Sequence, residues 1–347
     1  MVSIPMIATS CFSRGLMVRS TYLAAALVLV GQCFSVAPTR AQSCQGYYDR
    51  ARTSLARDSS DLGTLDRLRG MVSNSGQCTE VEKTCFAYLI ADSYSQAISD
   101  LQAKGLPPQK LQELAAAGGS VARTWRMLWT MADLAENAKN YDQAALFYKS
   151  SLTALSDVES RIQQGARSFV CPDEERALPS AKQAAELIRL AEQADALATN
   201  FVPAPPTRDG SFGGIFVGKL RGIEVVNFPI PIEFRYDSTE LTQKGTDAAN
   251  FLLSFINRSD VPRIVLTGHA DQKGSDDYNC KLSGRRLDAL IAFMKPAMRK
   301  SVTIEAVPQG KGEPFPIVEG SKLSQDEVDQ INRRIELRDR KVQRKCQ

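Results

Sequence analysis

Histidine is nearly absent from this sequence: among 347 residues only His269 is one. A catalytic triad or a histidine-based zinc centre would have to be built on that single imidazole, and no cysteine pair stands near it. A packed, hydrogen-bonded ring is expected there instead. The sequence also lacks a glycine-rich phosphate loop, zinc-ligand spacing and any Ser/His/Asp grouping, so it is not read as an enzyme and no cofactor is expected. Charge of one sign is scarce too. The net +4 comes from 43 basic and 39 acidic residues, and Arg14, Arg19 and Arg40 supply three of those charges, leaving residues beyond 41 at +1. Nothing in that balance suits nucleic acid. Strands of lipid-facing alternation are missing, which excludes a membrane barrel.

Long apolar runs are confined to Tyr22 to Val36, behind Arg14 and Arg19 and ahead of Thr39-Arg40-Ala41. That arrangement reads as a secretory signal peptide over 1–41, with Met17 as an alternative start. An uncleaved anchor is the rival, but Gln32 interrupts a run already near the lower spanning length. Gln32 before Cys33 also argues against a lipoprotein. Cleavage would leave no stable transmembrane segment. Of the eight cysteines, Cys44, Cys78, Cys85, Cys171, Cys280 and Cys346 lie beyond the signal, an even number in an exported chain, so disulfides are expected. Their pairing is open. A staple between Cys280 and Cys346, the two in the C-terminal half, would force the other four to pair among themselves.

Residues 42–200 are rich in Ala, Leu, Gln, Glu and Arg at helical spacing and predict an α-helical domain. Breaks are expected at Asp58 to Asp61, Asn74 to Gly76, Gly105 to Pro108, Gly118-Gly119 and Val170 to Pro172. Thr124 to Leu155 resembles a single tetratricopeptide repeat, with Ala144, Tyr148 and Ser151 at interlocking positions; an ordinary amphipathic hairpin fits equally well. A Pro-rich and then Gly-rich linker over 201–215 marks a domain boundary, and 341–347 form a basic tail.

Residues 216–340 read as an α+β domain: a mixed sheet with helices on one face, and strands near Phe228 to Arg235, Arg263 to His269, Val302 to Pro308 and Arg333 to Arg338. Ser238 is a candidate cap for the helix carrying Ala248, Leu252 and Ile256. A second helix begins near Asn279. On its wheel Leu282, Leu287, Leu290, Ile291 and Met294 share one face, and Asn279, Ser283 and Arg286 fall on that same face. A charge directed at a core needs a partner, and Asp271, at the end of the preceding strand, is the nearest candidate carboxylate. The two form either a structural ion pair or a clamp in which Asp271 receives an ammonium and Arg286 the carboxylate of one zwitterion.

The segment from about Phe228 to Arg338 resembles the OmpA-like peptidoglycan-binding family, of which the C-terminal domains of OmpA-type porins, Pal lipoproteins and flagellar stators are members. The matching pieces are IEFRYDSTEL, TGHADQKGS, YNCKLSGRRL, GKGEPFP and NRRIELR, in that order. The resemblance implies that Asp271 and Arg286 hold the amino and carboxyl groups of diaminopimelate in a stem peptide. It adds Asn279, which also suits a helix N-cap, and Arg333, read as pointing to the helix layer while Arg334 faces away. It implies a periplasmic, peptidoglycan-associated protein of a Gram-negative envelope, anchoring the helical domain to the wall. The alternative is an assembly scaffold whose OmpA-like part is structural and whose helical half binds a protein partner.

Overall fold

A computed structural model describes residues 44–58, 61–73, 78–165, 169–206, 219–220, 223–224, 227–258, 262–299, 301–338 and 346. The signal peptide, the alternative start, most of the 201–215 linker and, apart from Cys346, the basic tail lie outside them.

The helical half comprises α1 (Cys44–Arg57), α2 (Leu62–Ser73), α3 (Glu80–Ala103), α4 (Pro108–Val121), α5 (Trp125–Asn137), α6 (Tyr141–Gln164), α7 (Pro172–Arg176) and α8 (Ala181–Leu197). Their starts carry the expected chemistry. Thr79 and Ser180 close capping boxes with Glu82 and Gln183, and Pro108 and Pro172 sit where a missing N–H costs nothing. Two cores result. One gathers Phe86, Ile90, Tyr94 and Met127; the other packs Tyr148 and Leu152 of α6 against Leu187 and Ala191 of α8. Disulfides Cys44–Cys78 and Cys85–Cys171 staple α1 to the start of α3 and α3 to the start of α7.

Gly118-Gly119 does not break the chain, contrary to expectation: α4 runs through it to Val121. A Cβ on Gly118 would stand 2.7 Å from both Met127 Sδ and Tyr94 Cβ, so the glycine lets α4 approach α3 and α5 closely. The α5–α6 hairpin forms at the repeat-like segment, with Ala144, Tyr148 and Ser151 all fully buried.

The second half begins with a short hairpin, β1 (Lys219–Leu220) and β2 (Ile223–Glu224). There follow β3 (Asn227–Ile230), α9 (Gln243–Arg258), β4 (Arg263–His269), α10 (Asp276–Met294), β5 (Thr303–Gly310), α11 (Gln325–Asn332) and β6 (Ile335–Arg338). The sheet order is β3-β6-β4-β5, with β4 and β5 parallel and the other pairs antiparallel. Leu252 and Ile256 of α9, Leu287 and Leu290 of α10, and Leu266 and Leu337 of the sheet form its core. Cys280 of α10 is bonded to Cys346.

Three boundaries differ from expectation. The first strand stops at Ile230 rather than Arg235, because Pro229 and Pro231 confine it to the sheet edge and end its ladder. Thr242, not Ser238, accepts the N–H of Gly245 at the start of α9, while Ser238 accepts that of Glu240 within the preceding turn. Arg333 ends α11 and lies outside β6.

The two halves meet through buried contacts. Lys244 of α9 donates to the carbonyls of Ala196 and Ala198 at the C-terminal end of α8, at 2.9 and 2.6 Å, where a cation offsets the helix dipole. Gln330 of α11 also donates to Ala196 O. Residues 201–206, expected to form the stiff start of a linker, lie packed: Val202 O and Pro205 O accept from Lys149 and Thr153 of α6, and the Phe201 ring packs at a tilt against Phe251.

Candidate functional site

The chain leaves β4 at Ala270, whose N–H donates to Gly310 O at 2.7 Å, and Asp271 follows at once. One carboxylate oxygen of Asp271 accepts the N–H of Lys273 at 3.0 Å, folding the loop back on itself. The other takes Arg333 Nη1 at 2.9 Å. Ser275 then caps α10 by accepting from Tyr278 N. Asn279 is therefore not the N-cap: its own N–H already donates to Ser275 O in the first turn. Its side chain, 3% exposed, donates to Lys273 O at 2.6 Å and braces the loop that presents Asp271.

Arg286, two helical turns further along, is 7% exposed. It lies 5.2 Å over the Phe234 ring, and its Nε and Nη2 donate to Ser238 O and Arg235 O at 3.0 and 3.3 Å. Burial lowers the pKa of this guanidinium, and the nearby Arg333 pushes the same way. Asp271 and Arg286 thus make neither the hydrogen bond nor the ion pair that sequence reasoning weighed.

All four sequence-read residues, Asp271, Asn279, Arg286 and Arg333, line one cleft of about 400 Å³. At its lip Tyr236 is 97% exposed. Asp237, in the left-handed region at φ 49°, accepts a hydrogen bond from Tyr278 OH, and that bond raises the pKa of the phenol. The arrangement offers an anionic acceptor at Asp271 and, at Arg286, a guanidinium bonded to backbone carbonyls and to no protein carboxylate, within one enclosure, the complement of a ligand carrying both charges.

No family model matches the chain. It is similar over 105 residues to the peptidoglycan-associated lipoprotein of Legionella pneumophila, 29% identical and covering 30% of this chain and 56% of that protein. Over 130 residues it is 28% identical to the peptidoglycan-associated lipoprotein of Pseudomonas aeruginosa, covering 37% of this chain and 73% of that one. Both similarities agree with the resemblance of the C-terminal part to OmpA-like domains. Among solved structures, the OmpA-like domain of FopA1 from Francisella tularensis matches with a TM-score of 0.25 and 25% identity, over 32% of this chain and 69% of that one. The chain thus spans little more than half the length of the Legionella relative.

Opposite its helices, the sheet of the OmpA-like domain carries a buried polar cluster. Glu336 accepts from Arg334 and Arg338, and lies 3.6 Å from His269 Nε2. Burial holds the pKa of His269 below its ordinary value, and the ring stands 3.3 Å from Thr267 Oγ1, as a packed imidazole should. Arg334 does face away from the helices, but it is buried over Phe315 rather than solvated. Sequence reasoning missed Tyr278, whose position beside Asn279 was the available signal. It also missed Glu192 and Asp195 of α8, which line the same cleft and carry no local signal at all.

Proposed function

We propose that the protein binds peptidoglycan non-covalently through the diaminopimelate of the stem peptide, and so anchors the helical domain to the cell wall in the periplasm. The observation that carries this reading is the state of Arg286: a buried guanidinium whose hydrogen bonds go to backbone carbonyls and to no protein carboxylate, in a cleft that also holds Asp271. A ligand carboxylate completes Arg286, and the adjacent ligand ammonium meets Asp271, sharing it with Arg333. Asn279 holds the loop, and Arg333 adds positive charge beside the carboxylate. The names of the two relatives support the choice of peptidoglycan. Three disulfides support an oxidising compartment reached through the signal peptide.

Co-sedimentation with purified sacculi tests this directly. The protein is expected in the pellet and is released by excess diaminopimelate-containing stem peptide. Protein that stays in the supernatant would leave a scaffold whose OmpA-like domain is structural.

A further inference from the structure

The cleft does not end with the OmpA-like domain. Its far wall is α8 of the helical half, which contributes Glu192 and Asp195 one turn apart on the same face. Asp195 is 2% exposed. One of its oxygens accepts from Lys149 Nζ at 2.5 Å, and Oδ2 has no hydrogen-bond partner among the described residues. Buried carboxylate oxygens are rarely left so, because the uncompensated desolvation is costly. On the opposing side Arg334, which also lines the cleft, buries Nη1 without a partner. An acceptor and a donor are therefore both unsatisfied on side chains that line the same enclosure as Asp271 and Arg286.

We propose that α8 supplies a second subsite of this cleft, in which Glu192, Asp195 and Arg334 take a peptide amide of the stem peptide beyond the diaminopimelate. This deepens, and rests on, the reading of the cleft as a stem-peptide site. A secondary amide presents one N–H and one C=O, the pair that Asp195 and Arg334 lack. Glu192 lines the same wall, and burial, with Glu336 nearby, raises its pKa well above the usual carboxylate range. Lys244 holds this wall in place through the last carbonyls of α8. The helical half then takes part in recognition instead of being carried by it.

Titration calorimetry on the full-length protein with two probes separates the subsites: free meso-diaminopimelate, and the tripeptide L-Ala-γ-D-Glu-meso-diaminopimelate. Wild type is expected to bind the tripeptide more tightly. Glu192→Ala should weaken the tripeptide about tenfold and leave the free amino acid unchanged, whereas Arg286→Ala weakens both. Asp195→Asn is the second variant. Its amide oxygen must turn to Lys149, leaving a donor where the ligand N–H needs an acceptor, so the tripeptide alone should lose affinity. Wild-type affinity for the tripeptide in both α8 variants would overturn the subsite while leaving the diaminopimelate site intact. Wild type binding neither probe would overturn the site reading and the subsite together.

Discussion

Arg333 holds Asp271 at 2.9 Å, while Arg286, in the same cleft, is bonded only to backbone carbonyls. The acid and the base of the proposed clamp are thus kept apart by a third residue. A ligand ammonium has to share Asp271 with Arg333, whereas a ligand carboxylate meets Arg286 without displacing a protein acid.

Arg286→Ala and Asp271→Ala are expected to reduce affinity for a diaminopimelate stem peptide by well over tenfold, about 2 kcal/mol each, with circular dichroism unchanged. Arg333→Ala should cost less, because its side chain is 40% exposed and it also competes for Asp271. Equal losses for Arg333→Ala and Arg286→Ala would contradict this order.

In the helical half, Tyr148 OH stands 2.7 Å from Asp133 Oδ1 and 2.5 Å from Glu136 Oε2. Burial pushes Asp133 up to about 7 from 3.8, with Glu136 adding to the rise. A raised folded-state pKa means that this contribution to stability is complete below pH 3.8 and is lost as pH climbs towards 7. The total swing is at most about 4 kcal/mol. Urea midpoints compared at about pH 5 and about pH 8 should fall more for wild type than for Asp133→Asn, which cannot ionise. Identical pH slopes would remove Asp133 from the account.

Lys149 and Asp195 form an ion pair 2% and 3% exposed between α6 and α8. Lys149→Met strands the carboxylate and should destabilise the protein by about 3–5 kcal/mol, read as a shifted denaturation midpoint. Adding Asp195→Leu removes the stranded charge and should recover much of the loss. A double variant no better than the single one would show that the bond from Lys149 to Val202 O matters more than the pair.

The Cys280–Cys346 bond closes a span of 66 residues around the OmpA-like domain. Cys346→Ser is expected to cost about 2–4 kcal/mol of that domain's stability. A non-reduced peptide map without a Cys280–Cys346 fragment in wild type would refute the pairing itself.

Much of the site was legible because α10 violates its own pattern. Asn279, Ser283 and Arg286 share the face of Leu282, Leu287 and Leu290, and all are buried. β4 follows its apolar run from Arg263 to His269, and the isolation of Cys280 and Cys346 in one half anticipated their bond. The partner of Asp271 was not legible, since alternation continued backwards from Ile335 placed Arg333 on a strand, whereas α11 extends to Asn332 and leaves Arg333 as its cap. The junction of the halves was hidden for another reason. Lys149, Lys244 and Asp195 look like solvated helix residues, and only long-range packing gives them carbonyl and carboxylate partners. Gly118 misled in the opposite direction, because close helix approach and chain reversal favour the same residue.

Residues 201–206 lie fastened to α6 and α9 instead of spanning open solvent. A domain hung on a loose tether explores a sphere around its attachment point, so whatever it carries is found at many distances and in every orientation. Fastened in this way, the helical half behaves like a bracket screwed to a wall plate. With peptidoglycan as the wall, anything seated on those helices would be held at one height and facing one way.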